Sequence, residues 1–266
     1  MMSAPVVSCC RRLLVTLLLA LLAGCVTQET TPFNKRDQAK AVEAYIALSI
    51  AYLRDGNAQM AKESLQKAKA LDPDNPALFS ATAYLFQWQG EPQLAEQNYR
   101  KALSRDPQFS EARNNYGVFL YSQGRYDEAI SELLKVAEDP LYAQRHQAYE
   151  NLGYCALKKN DSALAIHYFS KALKINENQP NALLEMADLM LQAGNLSAAN
   201  AHMGRFRDLL KMRQAEASAR SYWIELQLAR AQGNHDLEAS NALKLKGLFP
   251  DSEEYRSYLK QGGRIP

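Results

Sequence analysis

Small apolar residues recur along this sequence with a period close to 34 residues. One series consists of alanines, at successive spacings of 34, 34, 36 and 34 residues: Ala61, Ala95, Ala129, Ala165 and Ala199. A second series lies five residues before each of these alanines and has one further member beyond them: Gly56, Gly90, Gly124, Asn160, Gly194 and Gly233. Glycine and asparagine are the residues that adopt the left-handed backbone conformation at the lowest cost. The shared period predicts a repeated unit of two helices, with a turn at the Gly or Asn and a close helix contact at the Ala.

Two further positions of the unit suit a pair of closely packed helices. One position is small: Ser49, Ala83, Gly117, Gly153 and Ala187. Another is bulky and apolar: Leu65, Tyr99, Leu133, Phe169 and Met203. Helices are expected to end at Asp72-Pro73 and Asp106-Pro107, because proline cannot continue a helix. No segment alternates with a period of two, so we expect no sheet.

This pattern resembles the tetratricopeptide repeat, a unit of 34 residues folded as two antiparallel helices. The resemblance implies an all-α, right-handed superhelical solenoid of six units that binds partners on its concave side. We place the repeat domain at residues 37–266, with units at 42–75, 76–109, 110–143, 146–179, 180–213 and 219–252. Two extra residues, Gln144 and Arg145, predict an irregular turn between the third and fourth units. The sixth unit is degenerate, because Glu238 stands where Ala is expected.

The N-terminal residues have the pattern of a lipoprotein export signal. Arg11 and Arg12 precede an apolar core of 11 residues, 13–23, which is shorter than the roughly 20 residues that span a membrane. The segment 22–25, Leu-Ala-Gly-Cys, resembles the bacterial lipobox, so we expect residues 1–24 to be removed and Cys25 to carry a covalent lipid. Residues 25–36 would then form a tether. The residue after Cys25 is Val26 rather than Asp, and by resemblance to bacterial sorting rules this indicates that the lipoprotein is sent to the outer membrane. The alternative to lipidation is that Cys25 is an ordinary cysteine.

Composition and charge exclude several classes of function. The chain is 47% hydrophobic and 23% charged, with 31 Lys and Arg against 29 Asp and Glu, and a nearly neutral chain lacks the concentrated basic face that nucleic acid requires. Beyond Cys9, Cys10 and Cys25 the body has a single cysteine, Cys155, which we interpret as a buried small apolar residue. We find no catalytic motif and no set of metal ligands. We therefore expect no enzyme, no small-molecule substrate and no cofactor apart from the lipid.

The resemblance to tetratricopeptide repeats also indicates which residues face the concave surface. First-helix positions of the first three units give a mainly apolar and aromatic set: Ile46, Ile50, Leu53, Tyr84, Trp88, Asn114, Val118 and Tyr121. Two further asparagines, Asn115 and Asn151, add polar contacts. Such a surface suits an apolar helix or an extended segment of a partner. Two alternatives stay open at this stage. In one, the apolar residues pack against neighbouring helices as core; in the other, the asparagines bond to nearby backbone.

Central segments of the chain resemble the PilF/PilW family of type IV pilus biogenesis lipoproteins. These segments are Asn-Asn-Tyr-Gly-Val-Phe-Leu at 114–120, Asp-Pro-Leu-Tyr at 139–142 and Glu-Asn-Leu-Gly-Tyr-Cys at 150–155. The resemblance implies a pilotin: a lipid-anchored protein on the periplasmic side of the outer membrane that binds pilus secretin subunits and promotes their localisation and assembly. The alternatives are an adaptor for another envelope machine, in wall synthesis or porin assembly, and an enzyme acting on the cell wall.

Overall fold

The structure is a computed structural model that describes residues 35–262. The predicted signal, the lipidation at Cys25 and most of the predicted tether lie outside the described residues. Lys35 and Arg36, which the sequence analysis assigned to the tether, are instead the first residues of a helix. Within the described range, no helix has the combination of length and hydrophobicity that crossing a bilayer requires.

The described residues form thirteen helices and contain no strand. In chain order the helices are α1 Lys35–Arg54, α2 Ala58–Leu71, α3 Pro76–Trp88, α4 Pro92–Arg105, α5 Ser110–Ser122, α6 Tyr126–Ala137, α7 Arg145–Lys158, α8 Ser162–Ile175, α9 Pro180–Gln192, α10 Leu196–Arg213, α11 Ala219–Ala231, α12 His235–Leu248 and α13 Glu253–Lys260. Successive helices pack as pairs, and each pair packs against the next. The predicted all-α solenoid of helix pairs is confirmed.

The turn inside each pair is fixed by the residue series seen in the sequence. Its members all have positive φ, between +58° at Asn160 and +76° at Gly56, which is the region where glycine and asparagine cost least. At four of these turns an Asn or Asp follows directly and caps the second helix with its side chain. Asn57, for example, accepts a hydrogen bond from the backbone N–H of Met60 at 3.1 Å.

Small and bulky residues meet between the two helices of a pair. The five alanines of the 34-residue series have no exposed surface, and the five bulky residues are all buried. In the fourth pair, a Cβ added at Gly153 would lie 2.6 Å from Cε1 of the Phe169 ring. In the third pair, a Cβ at Gly117 would lie 2.6 Å from Cγ of Leu133. These glycines are therefore required by the close approach of two helices rather than by backbone conformation.

The junction between the third and fourth pairs differs from the others, as the extra residues predicted. Helix α6 ends at Ala137, and residues 138–144 form turns before α7. Arg145, which the sequence analysis treated as a spacer, is the first residue of α7. The Asp139 carboxylate accepts hydrogen bonds from the Ser110 hydroxyl at 2.7 Å and from the Leu141 N–H at 3.0 Å. These contacts fix a turn in which the Leu141 side chain is 91% exposed.

The contact at Gly153 gives a direct test of this packing. We expect Gly153→Ala to lower the free energy of unfolding by about 1–2 kcal/mol, because the new methyl group overpacks the rigid Phe169 ring by more than the gain in helix propensity. Urea unfolding followed by circular dichroism measures the change. The matched control is Gly204→Ala in α10, where the added Cβ meets no atom within 4 Å; it should stabilise the protein by about 0.5–1 kcal/mol. Equal effects of the two substitutions would contradict the assigned contact.

Candidate partner-binding surface

The first helices of the first three pairs enclose an open groove of about 300 Å³. We name it the α1–α3–α5 groove, after the helices that supply most of its walls. It brings together five of the residues predicted from the sequence: Ile46, Ile50, Tyr84, Asn115 and Val118. Helical periodicity explains the grouping, since residues three or four apart lie on one face of a helix. Ile46 and Ile50 are such a pair on α1, and Asn115 and Val118 are such a pair on α5.

The predicted apolar residues divide between this groove and the core. Leu53 is 3% exposed and Ile46 is 9% exposed, and both belong to the core cluster of the first pair, so for these two residues the packing alternative is the correct one, although Ile46 also borders the groove. Tyr84 is 37% exposed inside the groove, and Trp88 is 48% exposed at the C-terminal end of α3, outside the groove lining. Tyr121 packs its ring against Tyr126 at 5.5 Å between centroids, and burial raises its pKa.

The predicted asparagine contacts are mostly internal to the protein. The Asn151 side-chain amide donates to the Asn114 side-chain oxygen at 3.4 Å, which links α7 to α5. Asn114 is 5% exposed. The alternative to a partner contact was a hydrogen bond to nearby backbone. Asn114 and Asn151 instead bond to each other, across the boundary between the third and fourth units. Asn115 alone of the three lines the groove.

Several groove residues were not predicted from the sequence. Gln87 and Tyr99 close the wall, and the Tyr99 hydroxyl donates to Oε1 of Gln87 at 3.2 Å. Burial raises the pKa of Tyr99 well above its ordinary value, so this hydroxyl stays protonated. Arg54 and Glu111 supply one positive and one negative charge to the lining. Tyr99 lies on α4, a second helix, whereas the candidate groove residues were taken mainly from first helices.

The first helices carry more charge beyond the groove. On α7, Glu150 accepts a hydrogen bond from the Asn181 amide at 3.1 Å, and burial raises its pKa despite that bond. On α9, burial likewise raises the pKa of Glu185, while Arg220 at 2.7 Å acts in the opposite direction. Arg220 also reaches Asp188 at 2.9 Å. The first-helix face is therefore mainly apolar in the first three pairs, and polar contacts crosslink the first helices of successive units from α5 to α11.

The described residues offer little reactive chemistry. No group of three or more His, Cys, Asp or Glu side chains within residues 35–262 could hold a metal ion. Cys155 is buried among apolar side chains, and burial raises the pKa of its thiol to about 12. The thiolate is the nucleophilic form of cysteine, and it is scarce at neutral pH at this site. The groove is therefore a candidate for binding a partner by burial of apolar surface.

Comparison with known proteins identifies relatives over most of the chain. The tetratricopeptide repeat family model matches residues 45–211. The type IV pilus assembly protein PilF of Pseudomonas aeruginosa is 40% identical over 250 residues, which cover 93% of this chain and 97% of that protein. The solved structure of P. aeruginosa PilF superimposes with a TM-score of 0.76 at 39% identity, covering 84% of this chain and 99% of that one. PilW, a widely conserved type IV pilus biogenesis factor, superimposes with a TM-score of 0.70 at 27% identity, covering 82% and 98%.

The environment of Cys155 makes its reactivity predictable. We expect iodoacetamide at pH 8 to leave Cys155 unmodified in the native protein and to modify it fully in 8 M urea, because folding removes both access and thiolate. Mass spectrometry of the peptide that contains Cys155 measures the modified fraction. A native rate within tenfold of the denatured rate would contradict the buried position of this thiol.

Proposed function

The chain belongs to the tetratricopeptide repeat family and to the PilF/PilW family of type IV pilus biogenesis proteins, and from this membership we propose that it is a pilotin. In this role it binds subunits of the type IV pilus secretin and directs them to the outer membrane. There it promotes their assembly into the multimeric pore through which the pilus passes. It acts as a non-catalytic adaptor, anchored by a lipid on Cys25 and facing the periplasm.

The α1–α3–α5 groove is the observation that carries the binding part of this proposal. It is recessed, it is lined mainly by apolar and aromatic side chains, and it contains the partly exposed Tyr84. Its volume lies at the lower end of the range of about 300–1,000 Å³ typical of binding sites. An apolar helix or extended segment of a secretin subunit would bury Ile50, Tyr84 and Val118, and would place its own backbone polar groups near Asn115 and Gln87. Buried aromatic anchors of this kind contribute most of the affinity in many protein interfaces.

Membrane anchoring is supported by the sequence alone. The lipobox-like residues 22–25 follow a short apolar core, and nine residues separate Cys25 from the first residue of α1. A fully extended segment of this length reaches at most about 35 Å. Since the α1–α3–α5 groove is formed by the first three pairs, a lipid on Cys25 would keep this groove close to the membrane. In this role the lipid holds the protein at the membrane, and the groove binds the secretin segment.

Loss of Tyr84 tests the binding role of the groove. We expect Tyr84→Ala to weaken binding of purified secretin subunits at least tenfold, because the contact of a buried aromatic side chain contributes about 1.5–3 kcal/mol. In a strain that lacks the gene, heat- and detergent-resistant secretin multimers should be absent, and the wild-type gene should restore them better than Tyr84→Ala. Binding is measured by surface plasmon resonance and multimers by immunoblot.

The control for this experiment is Leu141→Ala, which removes an apolar side chain that is 91% exposed outside the groove. It should bind secretin subunits like the wild type, and both variants should keep the wild-type circular dichroism spectrum. Normal multimers in the deletion strain would contradict the pilotin role. Wild-type affinity of Tyr84→Ala would contradict the groove as the binding site.

Replacement of the lipidated cysteine tests the anchor separately. We expect Cys25→Ser to abolish labelling by radioactive palmitate and to leave a soluble or mislocalised protein that is absent from the outer-membrane fraction, because a serine cannot carry the thioether-linked lipid. Affinity for secretin subunits in solution should not change, since Cys25 is no part of the groove. Palmitate labelling of wild-type and Cys25→Ser protein to the same extent would refute the anchor.

A further inference from the structure

A second groove lies on the opposite face of α3. It is enclosed by α2, α3 and α4, has a volume of about 360 Å³ and is named here the α2–α3–α4 groove. With 3.6 residues per turn, Ser80, Tyr84 and Gln87 point to one side of α3, and Leu78, Thr82 and Leu85 point to the other. The first set lines the α1–α3–α5 groove and the second set lines the α2–α3–α4 groove. One helix therefore forms a wall of both grooves.

The charges of the α2–α3–α4 groove all have one sign. Lys62 and Lys69 of α2 and Lys101 of α4 line it, and none of its described lining residues is a carboxylate. Within residues 35–262, no carboxylate makes an ion pair with any of these three lysines. The Lys101 ammonium lies 4.2 Å from the centroid of the Phe79 ring, so this positive charge is held over the apolar floor. Three exposed and unneutralised cations around one recess favour an anionic ligand.

The floor of this groove is apolar and its rim is polar. Leu65, Leu78, Phe79 and Leu85 are buried side chains of the lining. Gln66 and Gln89 add side-chain amides at the rim, where they can hydrogen bond to a peptide backbone. A recess between three helices admits a side chain but excludes a flat bilayer. The combination of apolar floor, amide rim and cationic edge fits a peptide rather than a membrane surface.

We propose that the α2–α3–α4 groove binds an acidic peptide segment of a partner protein that carries a large apolar side chain. The apolar side chain occupies the floor over Leu78 and Phe79. Carboxylates on either side of it pair with Lys62, Lys69 and Lys101. Because this groove and the α1–α3–α5 groove lie on opposite faces of α3, the protein can hold two different polypeptides at the same time.

A short synthetic peptide tests this proposal. The probe is Glu-Glu-Phe-Leu-Glu-Glu-amide with fluorescein attached to its N-terminal amine, titrated with the purified protein in 50 mM NaCl and followed by fluorescence anisotropy. We expect saturable binding that weakens at least tenfold in Lys62→Gln/Lys69→Gln/Lys101→Gln and weakens as NaCl rises to 300 mM, because salt screens the ion pairs. Gln66→Trp should also weaken binding at least tenfold, since it fills the mouth without changing charge.

The matched control is Lys158→Gln/Lys174→Gln/Lys211→Gln, which removes three exposed lysines of α7, α8 and α10 and changes net charge by the same amount. It should bind the acidic peptide as the wild type does, and the peptide with Lys in place of each Glu should not bind. Equal affinity of both triple variants, or no binding at millimolar protein, would overturn the proposal. Lysine-dependent cosedimentation with phosphatidylglycerol vesicles, without peptide binding, would instead make this a lipid site.

Discussion

Each helix pair of this protein buries its apolar residues only within itself and against its immediate neighbours, and this constraint determines the rest of the structure. A pair can close only where a small residue on the first helix meets a bulky residue on the second. The fourth pair shows how tight this contact is, because Gly153 leaves no room for a methyl group beside Phe169. The repeated small and bulky positions thus set the spacing of the helices within a pair.

The same constraint leaves one face of each first helix without a partner inside the solenoid. In the first three pairs that face is mainly apolar, although Arg54 and Glu111 contribute charges to it, and it forms the α1–α3–α5 groove. From α5 to α11 the corresponding region is crosslinked between units by contacts such as Asn151 with Asn114 and Arg220 with Glu185. These contacts supply hydrogen-bond partners to polar side chains that would otherwise lack one. The apolar part of the face therefore has more to gain from binding another protein than the polar part.

The sequence predicted the features that depend on local conformation and periodicity. The turns follow from the residues with positive φ, and the helix pairs follow from the spacing of alanines and bulky residues. The sequence did not predict which of the candidate surface residues line the groove and which are buried in the core. Ile50 and Leu53 are both apolar and lie three positions apart on α1, yet Leu53 is buried and Ile50 lines the groove, because the rotation of α1 against its neighbours decides their exposure. The α2–α3–α4 groove was not predicted from the sequence, because its lysines come from the second helices of two different units and meet only in the folded structure. In the sequence, each of these lysines has the pattern of an ordinary surface charge.

Helix α3 has a special position in the packing, and its sequence reflects it. Its residues Pro76–Trp88 contain no charged side chain, so the helix is apolar or weakly polar on every side. Leu78 and Leu85 belong to the core cluster of the first pair, whereas Ala83 belongs to the large cluster that continues through the later pairs. Phe79 belongs to a third cluster, with Ala102 and Ala112, so the helix joins three separate clusters of buried residues. A helix that is apolar all round must be covered on all sides, and neighbouring helices cover α3 only in part. Tyr84 and Trp88 are the large side chains of α3 that the solenoid leaves most exposed, and in the proposed role a partner protein would complete the burial of Tyr84.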